Sequence, residues 1–128
     1  MKKLALLLIG ILIFACEDDN TIIVNPVEVI NLNHPFEIQA GDTVSLNVTA
    51  QAPNSCWSDI EIELIQLDEF NYEVLAEAKF DVSLPNCEND AFNKVETFTK
   101  TFSSAGEYTF KLRKSRTVFE DNVITVTE

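Results

Sequence analysis

The chain has 128 residues, of which 46% are hydrophobic, and its formal net charge is −12 at pH 7. A charge of this sign and size opposes binding to polyphosphate backbones and to anionic lipid, so no nucleic-acid partner is expected. The length suits one domain with one hydrophobic core.

The N-terminal segment has the pattern of an export signal. Lys2 and Lys3 precede an apolar run over residues 4–14, and a small residue, Ala15, precedes Cys16. A run of about eleven apolar residues is too short to cross a bilayer, which needs ~20. The pattern therefore predicts a signal peptide that ends before the cysteine. Removing its two lysines from the formal charge of −12 leaves −14 on the mature protein.

The residues around the predicted cleavage site resemble the lipobox of bacterial lipoproteins, with Ile13, Ala15 and Cys16 at the matching positions. The resemblance implies that the thiol of Cys16 is acylated with palmitate-type chains and becomes the mature N-terminus. Each methylene buried in lipid contributes ~0.8 kcal/mol, so several chains give a stable membrane anchor. Residues 17–19 are acidic and resemble the export signal of surface lipoproteins of the Bacteroidota, which implies the cell surface of the outer membrane. A periplasmic spacer is the alternative.

Beyond the cysteine, residues 16–26 are predicted to form an acidic tether that ends at Pro26. From Val27 onward the apolar residues recur at every second position, which is typical of strands with one buried face. Residues 72–82 contain good helix formers, but their apolar residues at spacing two favour a strand. Two short strands are predicted, one with Val27 and Val29 and one with Phe36 and Ile38. Longer strands are predicted over residues 43–50, 59–66, 72–82, 92–102, 108–112 and 122–127.

About seven short strands without a convincing helix predict an all-β sandwich over residues 27–128. Gly106, Tyr108 and Phe110 resemble a segment of immunoglobulin-like domains in which the tyrosine bonds to the backbone just upstream. This resemblance implies an immunoglobulin-like β-sandwich, and it carries no antibody-like function. The chain as a whole resembles small surface lipoproteins with one such domain, organised as a signal peptide (1–15), a lipidated tether (16–26) and the sandwich (27–128).

The two remaining cysteines, Cys56 and Cys87, form an even pair in an oxidising compartment and predict a disulfide. A metal site is not expected at this pair, because His34 is the sole histidine and neither cysteine belongs to a CxxC motif. In the immunoglobulin strand order, three loops share one end of the sandwich. The resemblance places Cys56 and Cys87 in two of them, and residues 114–121 in the third.

No catalytic constellation is apparent in the sequence, so no enzyme activity and no cofactor are predicted. His34 stands alone, without a motif around any serine. Paired carboxylates, Glu61 with Glu63 or Glu88 with Asp90, are the acid–base alternative, although alternate glutamates on a strand normally form a solvated face. The acidic clusters lack EF-hand spacing, so no metal site is predicted.

The end of the sandwich that carries these loops is the candidate binding surface. Aromatic, amide and cationic side chains on a rigid loop end suit a glycan or a partner protein of the envelope. The alternative is that the aromatic residue caps the core beside the disulfide. We therefore predict a membrane-anchored, non-catalytic binding module, or else an assembly subunit that pairs through an edge strand. The candidate binding residues are Trp57, Asn86, Arg113, Lys114, Arg116 and Phe119.

Overall fold

A computed structural model of the chain describes residues 21–128, which form nine strands. The predicted signal peptide and the lipidated Cys16 lie outside the described residues. Within residues 21–128 there is no helix with the length and hydropathy needed to cross a membrane. The strands are β1 (Ile22–Pro26), β2 (Glu28–Asn33), β3 (Ile38–Gln39), β4 (Thr43–Ala52), β5 (Trp57–Gln66), β6 (Asn71–Asp81), β7 (Phe92–Thr101), β8 (Gly106–Arg113) and β9 (Phe119–Thr127).

The strands form two sheets that enclose one core, so the predicted all-β sandwich is confirmed. The smaller sheet has three strands in the order β2-β4-β7, and the larger sheet has six. In the larger sheet β5 pairs along one side of β6, while β1 and β8 share its other side. β9 pairs with β8, and the short β3 completes the sheet beside β9.

Period-two alternation produces this core. In β6, Tyr72, Val74, Ala76 and Ala78 are buried while their neighbours are at least partly exposed, which confirms the strand predicted over residues 72–82. Aromatic rings fill the centre, where the rings of Tyr72 and Phe110 stack with centroids 4.7 Å apart. Such aromatic pairs stabilise a fold beyond the area that they bury.

Most strand ends differ from those predicted by one or two residues, and three assignments differ by more. Ile22–Pro26, assigned to the tether, forms β1 and pairs antiparallel with residues 77–81 of β6. Phe36, predicted to start a strand, is 96% exposed, because β3 begins only at Ile38. β9 begins at Phe119 and not at Asn122, because a tight turn, in which the Lys114 amide donates to the Val118 carbonyl at 2.8 Å, closes the β8–β9 hairpin early.

One detail of the immunoglobulin resemblance is present, but the strand arrangement is different. The Tyr108 hydroxyl donates a hydrogen bond to the Ser104 carbonyl at 2.7 Å, the upstream bond that the resemblance implies. Immunoglobulin sandwiches contain two antiparallel sheets. In this protein β6 runs parallel to β8, and β3 runs parallel to β9. The immunoglobulin-like topology is therefore not confirmed, and the fold is a mixed β-sandwich.

The β4–β5 loop, the β6–β7 loop and the start of β1 lie at one end of the sandwich, which we call the disulfide end. Trp57 at the start of β5 and Ile23 in β1 both pair with Phe80 near the end of β6. The Val82 amide donates to the Thr21 carbonyl at 2.7 Å, so the described chain enters at this end. The β5–β6 turn, with Leu67, marks the opposite end.

Candidate functional sites

The predicted disulfide between Cys56 and Cys87 is confirmed. Their Cα atoms lie 5.3 Å apart, within the usual range for a disulfide. Flanking bonds reinforce this cross-link: the Ser55 amide donates to the Glu88 carbonyl at 3.1 Å, and the Glu88 amide donates to the Ser55 hydroxyl at 2.8 Å. The β4–β5 and β6–β7 loops are therefore held together at three points.

Trp57 follows Cys56 directly and packs inward. Its ring lies against Phe80, with centroids 5.0 Å apart, and the half-buried side chain contacts the edge of the core. This position matches the alternative in which the tryptophan caps the core beside the disulfide. One face of the indole is consequently occupied within the protein.

Lys114 also points inward and joins the two sheets. Its ammonium donates to the Val29 carbonyl at 2.8 Å and to the Ile30 carbonyl at 2.7 Å, and the side chain is only 19% exposed. A bulge between Val29 and Asn31 interrupts the ladder between β2 and β4 at this point. Lys114 thus satisfies carbonyls beside the bulge, because a bulge leaves the extra residue unpaired.

Lys94 makes the equivalent contact on the other side of the sandwich. Its ammonium donates to the Ile60 carbonyl at 2.8 Å, beside a bulge between Ser58 and Glu61 where Asp59 has a positive φ of 51°. Each sheet therefore contains a bulge that a lysine of the opposite sheet covers. We call this pair of lysines the cross-sheet lysines.

Replacing Lys114 by methionine is expected to lower the free energy of unfolding by about 1.5–3 kcal/mol, the range for hydrogen bonds to charged groups. Methionine retains the apolar stem but leaves the two carbonyls without their donor. Urea unfolding followed by circular dichroism measures the change. Lys111→Met is the matched control, because Lys111 lies on β8 with no such bond, and it should change stability by less than about 0.5 kcal/mol. If both substitutions lowered the free energy of unfolding equally, the role of Lys114 in joining the two sheets would be contradicted.

The remaining candidate binding residues lie on the β8–β9 hairpin and in the β6–β7 loop. Arg113 donates through Nε to the Ser115 carbonyl at 3.3 Å, and Arg116 donates through Nη2 to the Asn25 side chain at 2.9 Å. Phe119 pairs opposite Arg113, and the exposed Asn86 lies next to Cys87.

The six candidates form two groups and not one patch. Trp57 is level with Phe80 of β6, whereas Leu112, beside Arg113, is level with Val74. Six residues along a strand correspond to roughly 20 Å, and β1 occupies the side of β6 between these levels. Trp57 and Asn86 therefore lie apart from Arg113 and Phe119 at the base of the hairpin, while Arg116 reaches Asn25, which pairs with Ala78.

The carboxylate candidates lie on exposed surfaces. Glu61 and Glu77 pair directly across β5 and β6, and like charges in this arrangement destabilise a sheet slightly. An open groove of about 470 Å³ lies beside them, lined by Glu61, Ile62, Glu63, Leu75, Glu77, Lys94 and Glu96. In the described part of the chain, no group of three or more His, Cys, Asp or Glu side chains is arranged to hold a metal ion.

Two aspartates, the exposed Asp68 and the partly exposed Asp81, stabilise turns. The Asp81 carboxylate accepts bonds from the Ser83 hydroxyl at 2.6 Å and from its amide at 3.0 Å, which hold the pKa of Asp81 below its ordinary value. The pKa of Asp68 is lowered in the same way, chiefly by the Asn71 side chain and then by the Phe70 amide. Hydrogen bonds within each turn therefore account for the lowered pKa of both carboxylates.

The outer face of the smaller sheet differs from the rest of the surface in carrying almost no charge. Thr43 pairs with Thr101 and their hydroxyls lie 2.7 Å apart, while the Thr97 hydroxyl donates to the Asn47 side chain at 2.6 Å. We call this surface the amide–hydroxyl face. On β4 and β7 it consists of Thr43, Ser45, Asn47, Thr49, Gln51, Asn93, Val95, Thr97, Thr99 and Thr101, and β2 adds Glu28, Asn31 and Asn33.

The outer face of the larger sheet carries the charges instead. β5 and β6 present glutamates there, with Lys79 and Asp59 in an ion pair at 3.4 Å. Lys111 and Asp121 pair across β8 and β9. The sequence indicates the uncharged character of the smaller sheet's outer face, since hydroxyl and amide residues alternate with apolar ones through residues 43–51.

Comparison of the chain with known protein families, with curated proteins and with solved structures finds no match.

Proposed function

We propose that the protein is a lipid-anchored, non-catalytic binding module of the bacterial outer membrane, exposed on the cell surface. Acyl chains on Cys16 would attach it, and the amide–hydroxyl face would contact a neutral glycan. The sequence pattern around Cys16 supports the anchor. The observation that carries the binding proposal is an almost uncharged face on a protein whose formal charge is −12.

Neutral glycans suit this surface chemically. Sugar hydroxyls both donate and accept hydrogen bonds, as do the threonine, serine, asparagine and glutamine side chains of the amide–hydroxyl face. Each net bond contributes about 0.5–1.5 kcal/mol, so several weak bonds along an extended chain add up to useful affinity. β4 and β7 pair over ten positions, which provides roughly 33 Å of surface along the strands.

For the alternative of assembly through an edge strand, β7 is disfavoured as the pairing edge by the residues that it carries. This strand forms one edge of the smaller sheet, and Lys94, Glu96 and Lys100 occupy its inward-facing positions. Lys94 reaches the opposite sheet, and the Lys100 ammonium lies 4.7 Å from the centre of the Tyr72 ring. Inward-pointing charges on an edge strand are a common means of preventing the addition of another strand.

A panel of neutral and acidic polysaccharides, presented to the purified full-length protein in detergent, tests the glycan proposal. The double substitution Asn47→Ala with Thr97→Ala is expected to weaken binding of a neutral glycan about tenfold, equal to about 1.4 kcal/mol. The matched control, Thr109→Ala with Thr125→Ala on the outer face of the larger sheet, should bind as the unmodified protein does.

The same panel distinguishes the two candidate surfaces. If Trp57→Ala abolishes binding while the circular dichroism spectrum is unchanged, and the double substitution does not, the contact lies at the disulfide end. Absence of binding to every neutral glycan contradicts the proposal and leaves a partner protein as the ligand to be sought.

A further inference from the structure

We propose that the disulfide end docks against the surface of the membrane that carries the Cys16 anchor, with exposed aliphatic side chains in contact with lipid. This inference rests on the lipid anchor of the proposed function. It adds an interaction surface, an orientation of the domain and a partner, the zwitterionic bilayer.

The position of Thr21 limits the distance between this end and the membrane. Thr21 is fixed at the disulfide end by the bond from the Val82 amide to its carbonyl, 2.7 Å long. Only residues 17–20 separate it from Cys16. A fully extended chain spans at most ~3.6 Å per residue, so Thr21 lies within about 18 Å of the anchored cysteine. The disulfide end therefore stays within this distance of the anchored residue.

Exposed aliphatic side chains cluster around this entry point. Ile22 and Val82 are each 51% exposed, and Ile23 and Leu84 are each 46% exposed. Ile22 pairs with Asp81, and Ile23 pairs with Phe80, so both lie beside the end of β6 that leads to Val82 and Leu84. As neighbours on a strand, Ile22 and Ile23 place apolar surface on both faces of β1 at this end. Lipid contact removes their apolar surface from water, which is the usual driving force for interfacial binding.

The charges at this end select the type of lipid. Asp81, Glu88 and Asp90 lie in or beside the β6–β7 loop, and residues 17–19 next to the anchor are acidic. The cations near this end are already partnered within the protein: Lys79, next to Phe80, forms an ion pair with Asp59 at 3.4 Å, and Arg113 and Arg116 donate hydrogen bonds to Ser115 and Asn25. An anionic surface would be repelled. The acidic charge and the exposed aliphatic side chains of the disulfide end therefore favour contact with a zwitterionic bilayer.

Site-specific fluorescence in vesicles tests the proposal. With Cys16 acylated and Cys56 bonded to Cys87, Leu84→Cys supplies a single free thiol for an environment-sensitive fluorophore in the full-length lipidated protein. Leu67→Cys is the matched control, because Leu67 has a similar exposure of 52% but lies at the opposite end. The labelled proteins are placed in phosphatidylcholine vesicles that contain a lipid with a nitroxide high on its acyl chain.

We expect the nitroxide to quench the fluorophore at position 84 at least threefold more than at position 67. Adding Ile22→Asp and Val82→Asp to the Leu84→Cys protein should reduce quenching to the level at position 67. Equal quenching at both positions, or no effect of the aspartates, would overturn the docking proposal while anchoring stands. If the protein does not float with the vesicles, the anchor itself is wrong and the docking proposal fails with it.

Discussion

Replacement of Cys16 by serine is expected to transfer essentially all of the protein from the membrane fraction to the soluble fraction of the cell. The resemblance to bacterial lipoproteins places the acyl chains on the thiol of this residue, and serine lacks that nucleophile. Without the chains, the strongly acidic mature protein has no electrostatic attraction to anionic lipid. Fractionation of cells, combined with metabolic labelling by palmitate, measures both the location and the modification.

The control for this experiment is the double substitution Cys56→Ser with Cys87→Ser, which removes the other two cysteines and leaves the lipobox intact. It should still incorporate palmitate and remain with the membrane. Palmitate incorporation into the Cys16→Ser protein, or its retention in the membrane fraction, would refute the anchor.

Loss of the disulfide is expected to lower the free energy of unfolding by roughly 3 to 4 kcal/mol. The bond joins residues with a sequence separation of 31, and closing a loop of this length removes that much conformational freedom from the unfolded chain. The flanking bonds between Ser55 and Glu88 remain, so the two loops keep part of their contact. Urea unfolding of the double serine variant under non-reducing conditions measures the loss.

Two comparisons check that the effect comes from the cross-link. The intact protein in a strong reductant should lose a similar amount of stability, and the double serine variant should not respond to reductant. A loss below about 1 kcal/mol would show that the cross-link restricts the unfolded chain much less than loop closure requires.

The main features of the fold could be predicted because local patterns determine them. Alternation assigned the long strands, including residues 72–82, where helix propensity gave the opposite indication. The pairing of Cys56 with Cys87 followed from their even number and from the predicted export. The bond from Tyr108 to Ser104 followed from a short motif whose geometry is local to one strand and its turn.

The missed features depend on which strands become neighbours. β1 forms because β8 pairs only with residues 71–74 of β6 and leaves the side of residues 77–81 free. No periodic pattern in the sequence indicates that this side of β6 is free to pair with another strand. The same dependence divides the candidate binding residues: the immunoglobulin order brings the loops together, whereas β1 separates Trp57 from Arg113. The cross-sheet lysines were missed because bulges are not visible in an alternating pattern.

β1 also determines how the domain responds to force. With the proposed anchor at Cys16, any mechanical load would reach the domain first through β1, which pairs with β6 alone over five positions and has largely exposed side chains from Ile22 to Val24. Peeling this strand away adds roughly 17 Å of reach at ~3.4 Å per residue. Val27, which is buried and donates its amide to the Ala76 carbonyl at 2.9 Å, is where that extension stops. The first strand can therefore yield under tension while the hydrophobic core stays closed.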